Sequence, residues 1–96
     1  RVIRARKIQS DRFRNEKFSL NSQIPDSRIF TYLSLGPEES AFLEKAYSKF
    51  NFSPRRYHKV LKLSRTIADL SESESIRTEH IASAISYTRF FAETGK

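Results

Sequence analysis

The chain contains no cysteine. That removes disulfides, thiolate zinc sites and cysteine-based hydrolysis, and it fits a cytoplasmic protein. Methionine is absent too, and with Arg1 as the first residue the chain is expected to be a piece of a longer protein. Glycine occurs only at Gly36 and Gly95, so neither the GxxxxGK[ST] phosphate loop nor the GxGxxG turn can be present. Any nucleotide role would be an accessory one, beside a domain that carries the loop. No apolar run approaches the roughly 20 residues of a membrane span, and no signal-peptide pattern opens the chain, so no membrane partner is expected. The histidines are His58 and His80 alone, too few for a convincing metal centre. His58 is expected to pack beside a neighbour and His80 to lie on the surface. Glu38 and Glu39 suit a helix start, and Glu72 and Glu74 a polar break; neither pair resembles a general acid and base. Catalysis and cofactor binding by this chain alone are therefore not expected.

What is present is a 96-residue chain of one domain's length, with 18 Lys and Arg against 11 Asp and Glu, net +7. Such a balance favours an acidic or polyanionic partner but does not specify a fold. The most informative stretch is Ser53–Leu70, SPRRYHKVLKLSRTIADL. Ser53 is a suitable N-cap, and Pro54 a first helical residue whose missing N–H costs nothing there. Tyr57, Val60, Leu61, Ser64, Ile67 and Ala68 recur at helical spacing and mark a buried face. Arg55, Lys59 and Lys62 form a basic stripe on another face. A cation at Arg55 adds to the positive end of the helix and favours an anion such as phosphate.

Elsewhere, residues 1–15 read as a basic helix with Val2, Ala5, Gln9 and Phe13 on a thin apolar face. Residues 16–25 form an ordered loop pinned by Phe18, Leu20 and Ile24. A short helix over 27–33 would bury Ile29, Phe30 and Leu33. Gly36-Pro37-Glu38-Glu39 opens a helix running to Phe50, and Asn51 can end it in the left-handed conformation. After the polar break Ser71–Ser75, Thr78 is expected to cap a last helix burying Ile81, Ala84 and Ile85. With no period-2 run, the expectation is a single all-α domain over 1–96. Its basic helix (1–15) and loop (16–25) precede a helical bundle (26–92), making about four main helices. Two functions fit these features. One is an accessory lid completing an ATPase site in another domain. The other is a basic DNA-binding module in which Arg55, Arg56 and Lys59 read bases and the first helix holds phosphates. No helix-turn-helix signature accompanies the second.

The segments RVIRARKIQSDRF, NSQIP, IRTEHIASAISY and above all RRYHKVLKLSRTIADL resemble the C-terminal domain of magnesium-chelatase-like AAA+ ATPases, in the ComM-like branch linked to natural transformation. The likeness runs from about Val2 to Tyr87. It implies a helical lid that follows an α/β ATPase core in a ring-forming protein, with ATP and Mg2+ held by the parent. It further implies that Arg55, by its place in the S-x-R pattern, is the sensor-2 arginine that reaches the γ-phosphate. Arg65 matches another family arginine about 15 Å further along the helix; the reading there is structural, by pairing with Asp69 at i+4, or inter-subunit. Arg56, Lys59, Lys62 and Arg65 are together the candidate subunit or DNA contacts. The branch implies DNA remodelling or branch migration by the parent rather than metal insertion. Departures are Asn51 and SESES where the family favours glycine-containing turns, and the tail after Tyr87.

Overall fold

The structure, a computed structural model, describes the backbone of residues 2–94 and the side chains of residues 2–25 and 27–88. Four long helices carry the fold: α1 (Val2–Arg12), α3 (Pro37–Phe50), α4 (Pro54–Leu70) and α5 (Thr78–Thr94). A one-turn α2 (Ile29–Tyr32) lies between α1 and α3, with 3₁₀ turns at Asn21–Gln23 and Asp26–Arg28. No strand occurs among the described residues, so the architecture is the expected all-α bundle.

Local chemistry sets the boundaries of α3 and α4. Gly36 is the extended N-cap of α3, Pro37 occupies its first turn, and Glu38 and Glu39 meet the positive end of the dipole. Asn51 closes the helix at φ 54°, ψ 51°, the left-handed conformation that asparagine tolerates. Two residues later the Ser53 hydroxyl accepts the Arg56 N–H at 3.2 Å and starts α4. Ser53→Ala removes that acceptor and is expected to cost about 1 kcal/mol, seen as a lower urea midpoint with an unchanged m-value.

α4 packs most extensively against α5. Val60, Leu61 and Ala68 meet Ile81, Ala84 and Ile85 in one core, joined by Leu43 and Ala46 of α3 and by Ile29, Leu33, Phe13 and Ile24. Ser64 sits in this core because its hydroxyl donates to the Val60 carbonyl at 2.7 Å. The 16–25 loop is pinned by Ile24, which is buried in the core, and by Phe18, which packs against it. Phe13 stands 4.9 Å from both Phe18 and Tyr32, ring centre to centre. Both Arg28 and Tyr32 donate to the Glu16 carboxylate. The Tyr32 hydrogen bond, and to a lesser degree Arg28, hold the Glu16 carboxyl below its ordinary value.

The structure corrects four expectations. α1 stops at Arg12, three residues short of Asn15. Phe30 is 66% exposed, because the 27–33 segment is a 3₁₀ turn followed by one α-turn rather than a single helix. That rotation leaves the core to Ile29 and Leu33. Thr78 is the first residue of α5, not its cap. Finally, His80 is buried at 6% exposure, where its Nδ1 accepts the Arg77 N–H at 2.9 Å. This is the backward half of a capping box, with histidine in the place of glutamate.

Candidate functional site

The basic stripe of α4 emerges as one face of a well-started helix. Arg55 and Lys59 are exposed and Lys62 is half-buried, and no hydrogen bond or ion pair engages these three side chains among the described residues. α4 has no acidic residue in its first turn, and its one carboxylate, Asp69, is 1% exposed. Arg55 is thus exposed at the positive end of α4, with no neutralising partner among the described residues. That is the electrostatic setting of an anion contact.

The neighbouring residues differ from Arg55. Arg56 turns inward, its guanidinium stacked 4.8 Å from the centre of the Phe52 ring. Its Nε and Nη2 are buried without a hydrogen-bond partner. His58 packs edge-on to Phe30 and Tyr57, with centroids at 6.5 and 6.3 Å, in keeping with a packing role.

Arg65 leaves the stripe altogether. It is 7% exposed, so the structure separates it from Arg55, Lys59 and Lys62 as a surface contact. Its Nε donates to Asp69 Oδ1 at 3.2 Å, the i+4 pairing that the spacing suggests. Its Nη1 and Nη2 donate to the main-chain carbonyls of Glu74 (3.0 Å) and Ser73 (2.7 Å), clamping the polar break to α4.

Asp69 is the hub of a buried network that sequence reasoning missed. Arg12 grips it with both terminal nitrogens, at 2.9 Å to Oδ2 and 2.8 Å to Oδ1. The Asn21 amide donates to Oδ2 at 2.9 Å and to Thr66 at 3.1 Å. Gln9 accepts the Asn21 backbone N–H at 2.9 Å. The network thus ties α1, the loop and α4 together. Burial pushes the Asp69 carboxyl up, but hydrogen bonds from Arg12 and Asn21 and the charges of Arg12 and Arg65 outweigh it and hold the carboxyl below its ordinary value. Burial also lowers Arg65, against the pull of Asp69.

A pH dependence follows from the lowered Asp69 and Glu16 carboxyls. Their stabilisation is complete above about pH 4, the ordinary carboxyl value of an unfolded chain. It is lost as the pH falls through the lower folded values. Urea midpoints taken from neutral pH to about pH 2 are expected to drop in that acid window, and to drop less steeply in Asp69→Asn.

Two signals pointed toward the missed network. Gln9 already stood on the apolar face of the first helix, and NSQIP was already a distinctive segment; no local period could join them to Asp69.

Comparison with known proteins places these features in context. A family model described as "Magnesium chelatase, subunit ChlI C-terminal" matches residues 1–88. The chain is 39% identical over 87 residues to Competence protein ComM of Haemophilus influenzae, covering 91% of this chain and 16% of that protein. It is 32% identical over 87 residues to the uncharacterized protein YifB of Escherichia coli, again at 91% and 16% coverage. The YifB protein of Salmonella typhimurium matches at the same identity and coverage. The chain therefore spans about a sixth of the length of these curated relatives (16%).

Proposed function

The chain belongs to the magnesium chelatase subunit ChlI C-terminal family, and from that premise we propose that it is the helical lid of an AAA+ ATPase, with Arg55 as its sensor-2 arginine. The observation that carries this reading is the exposed Arg55 guanidinium, without a hydrogen-bond or ion-pair partner among the described residues, at the capped, acid-free start of α4. In this reading the parent's core holds ATP and Mg2+, which supply the phosphoryl chemistry. Arg55 fits a phosphate oxygen by charge and by the dipole behind it. Its part is to neutralise charge that develops on the phosphoryl oxygens. The Ser53 cap and Pro54 fix the direction from which it approaches, and closure of the lid brings it to the nucleotide and excludes water. The chain alone is not an enzyme in this reading, and its partners are the parent's own core and neighbouring subunits of a ring. The parent is a cytoplasmic motor that remodels DNA or drives branch migration; the competence role named for the Haemophilus relative supports natural transformation as its setting. The test is ATP hydrolysis by the parent protein with Arg55→Ala against wild type, the fold being checked by circular dichroism.

One observation favours a second reading, a direct contact with DNA. Lys59 and the half-buried Lys62 continue the stripe beyond Arg55, and no exposed carboxylate of α4 opposes them. If this face holds DNA through phosphates alone, binding by this chain is weak and falls steeply with salt. Tight, sequence-selective binding would mark a dedicated reader instead.

A further inference from the structure

The broken register of the 27–33 segment leaves one aromatic ring outside the core. Phe30 is 66% exposed, while Ile29 and Leu33 near it are buried. Leaving so large an apolar side chain in water forgoes the stabilisation of burying it, yet the ring is held in place. It stands edge-on against the His58 imidazole, with centroids 6.5 Å apart and planes at 79°. Tyr57 braces His58 at 6.3 Å, and Tyr47 of α3 braces Tyr57 at 5.2 Å. Tyr47 and Tyr57 pack against the core, so a line of ring contacts runs from the core of the bundle to Phe30 at the surface.

The surroundings of the ring are polar and cationic. Thr31 and Ser34 are exposed, so Phe30 is not the centre of a wider apolar patch on its own segment. On α4, Lys59 directly follows His58, and Lys62 lies one turn further, four residues on, where side chains of a helix are neighbours. Lys59 is exposed and Lys62 half-buried, and neither makes a hydrogen bond or ion pair among the described residues. Burial and then the charge of Glu44 push the Tyr57 hydroxyl up. A carboxylate therefore does reach this turn, but at the residue that packs on Tyr47 of α3.

Two kinds of partner could cover a ring in this setting. A protein interface gathers apolar contacts at its centre and depletes lysine there, which one ring beside two lysines does not supply. Single-stranded nucleic acid asks for what is present, an aromatic ring on which a base can stack and cations for the backbone alongside. A base inside a duplex has both faces covered by its neighbours, so a stacking ring selects unpaired ones.

We propose that Phe30, propped by His58, is a stacking platform for an unpaired base of single-stranded DNA, with Lys59 and Lys62 holding the adjoining phosphates. The inference rests on the direct-contact reading of the α4 stripe, and it adds a residue that distinguishes unpaired from paired strands.

The test is fluorescence anisotropy of labelled oligo(dT) and of a labelled duplex of equal length, each titrated with this chain and its Phe30 variants at fixed ionic strength. Phe30 lies outside the core, so the melting temperature should change little on substitution. Phe30→Ala is expected to weaken oligo(dT) binding by about 5- to 100-fold, the size of one lost base–aromatic stack. Duplex binding, carried by charge, should stay as in wild type. Phe30→Leu keeps an apolar side chain without a ring and should lose as much as alanine, whereas Phe30→Tyr should bind like wild type. A leucine variant that binds like wild type marks a plain apolar contact and overturns the proposal, as does equal weakening for both DNAs. Oligo(dT) binding that survives Phe30→Ala but is lost in Lys59→Gln/Lys62→Gln also overturns it, and leaves the direct-contact reading standing. No binding of either DNA removes both. A Phe30→Ala parent that binds oligo(dT) normally but no longer assembles identifies a subunit contact instead.

Discussion

Asp69→Ala is expected to destabilise this chain by about 3–5 kcal/mol, the range for breaking a buried ion pair from one side. The physical reason is asymmetric. Two guanidinium groups, Arg12 and Arg65, and the Asn21 amide converge on one carboxylate that is 1% exposed. Removing the carboxylate leaves two neighbouring cations without the negative charge they share, and burial already disfavours the charge of Arg65. A small domain holds a total stability of about 5–15 kcal/mol, so the variant should unfold at low urea or not fold at all. Arg12→Ala is the informative partner. Arg12 is the more exposed member, with 19% side-chain exposure, and Asp69 keeps Arg65 and Asn21 when it is lost. Its cost should be clearly smaller. Equilibrium urea unfolding of both variants decides the matter; an Asp69→Ala cost below that of Arg12→Ala would show that the network is not the fastening described above.

Arg55→Ala is the second large effect, and it is of the opposite kind. Arg55 is exposed and makes no side-chain hydrogen bond or ion pair among the described residues, so the melting temperature should barely move. Hydrolysis by the parent protein should fall by about 100-fold or more, the size seen when one preorganised charge contact to a transition state is removed. A contact made only in the transition state lowers kcat and kcat/KM together, whereas one shared with bound ATP raises KM. Steady-state kinetics of the parent therefore separate a sensor from a simple binding contact. Arg55→Lys tests geometry, since a lysine keeps the charge but loses the planar fork. Unchanged hydrolysis in Arg55→Ala would remove the sensor-2 assignment, and the stripe of Lys59 and Lys62 would then be studied as a DNA or subunit contact.

The parts of this fold that the sequence made visible are those governed within one helical turn or one tight turn. Gly36-Pro37, Asn51 and Ser53-Pro54 act on their own backbone, so α3 and α4 begin and end where those residues require. The Arg65–Asp69 pair is legible for the same reason, lying four residues apart on one helix. Arg12 meets Asp69 across 57 residues, and Asn21 meets it across 48. No periodicity encodes such distances, and a lone aspartate near a helix end looks like an ordinary surface residue until its partners are placed. Phe30 illustrates the converse failure. A helical period assumed over 27–33 put the ring inside, but the 3₁₀ turn shifted the register and left it exposed. His80 stood in a first turn beside Thr78 and Glu79, a pattern that suggests solvent. Only the backward hydrogen bond to Arg77 explains its burial. Within the site, Arg55 was singled out by its position alone, while the inward turn of Arg56 onto Phe52 depended on packing that its neighbours in sequence do not reveal.

The way Arg65 holds the 71–75 connection bears on how this stretch can change over generations. It grips the carbonyl oxygens of Ser73 and Glu74, atoms that every amino acid carries. Side-chain identity is therefore lightly constrained at those two positions, and substitutions can accumulate there without loosening the fastening. Spacing is not free in the same way, because one residue added or removed moves both oxygens away from a guanidinium whose own place is fixed by Asp69. The one restricted position is Glu72, at φ 57°, where glycine or asparagine would fit with less strain. Related sequences should thus drift widely in composition across this connection while keeping its length, and should favour small or left-handed residues at that single point.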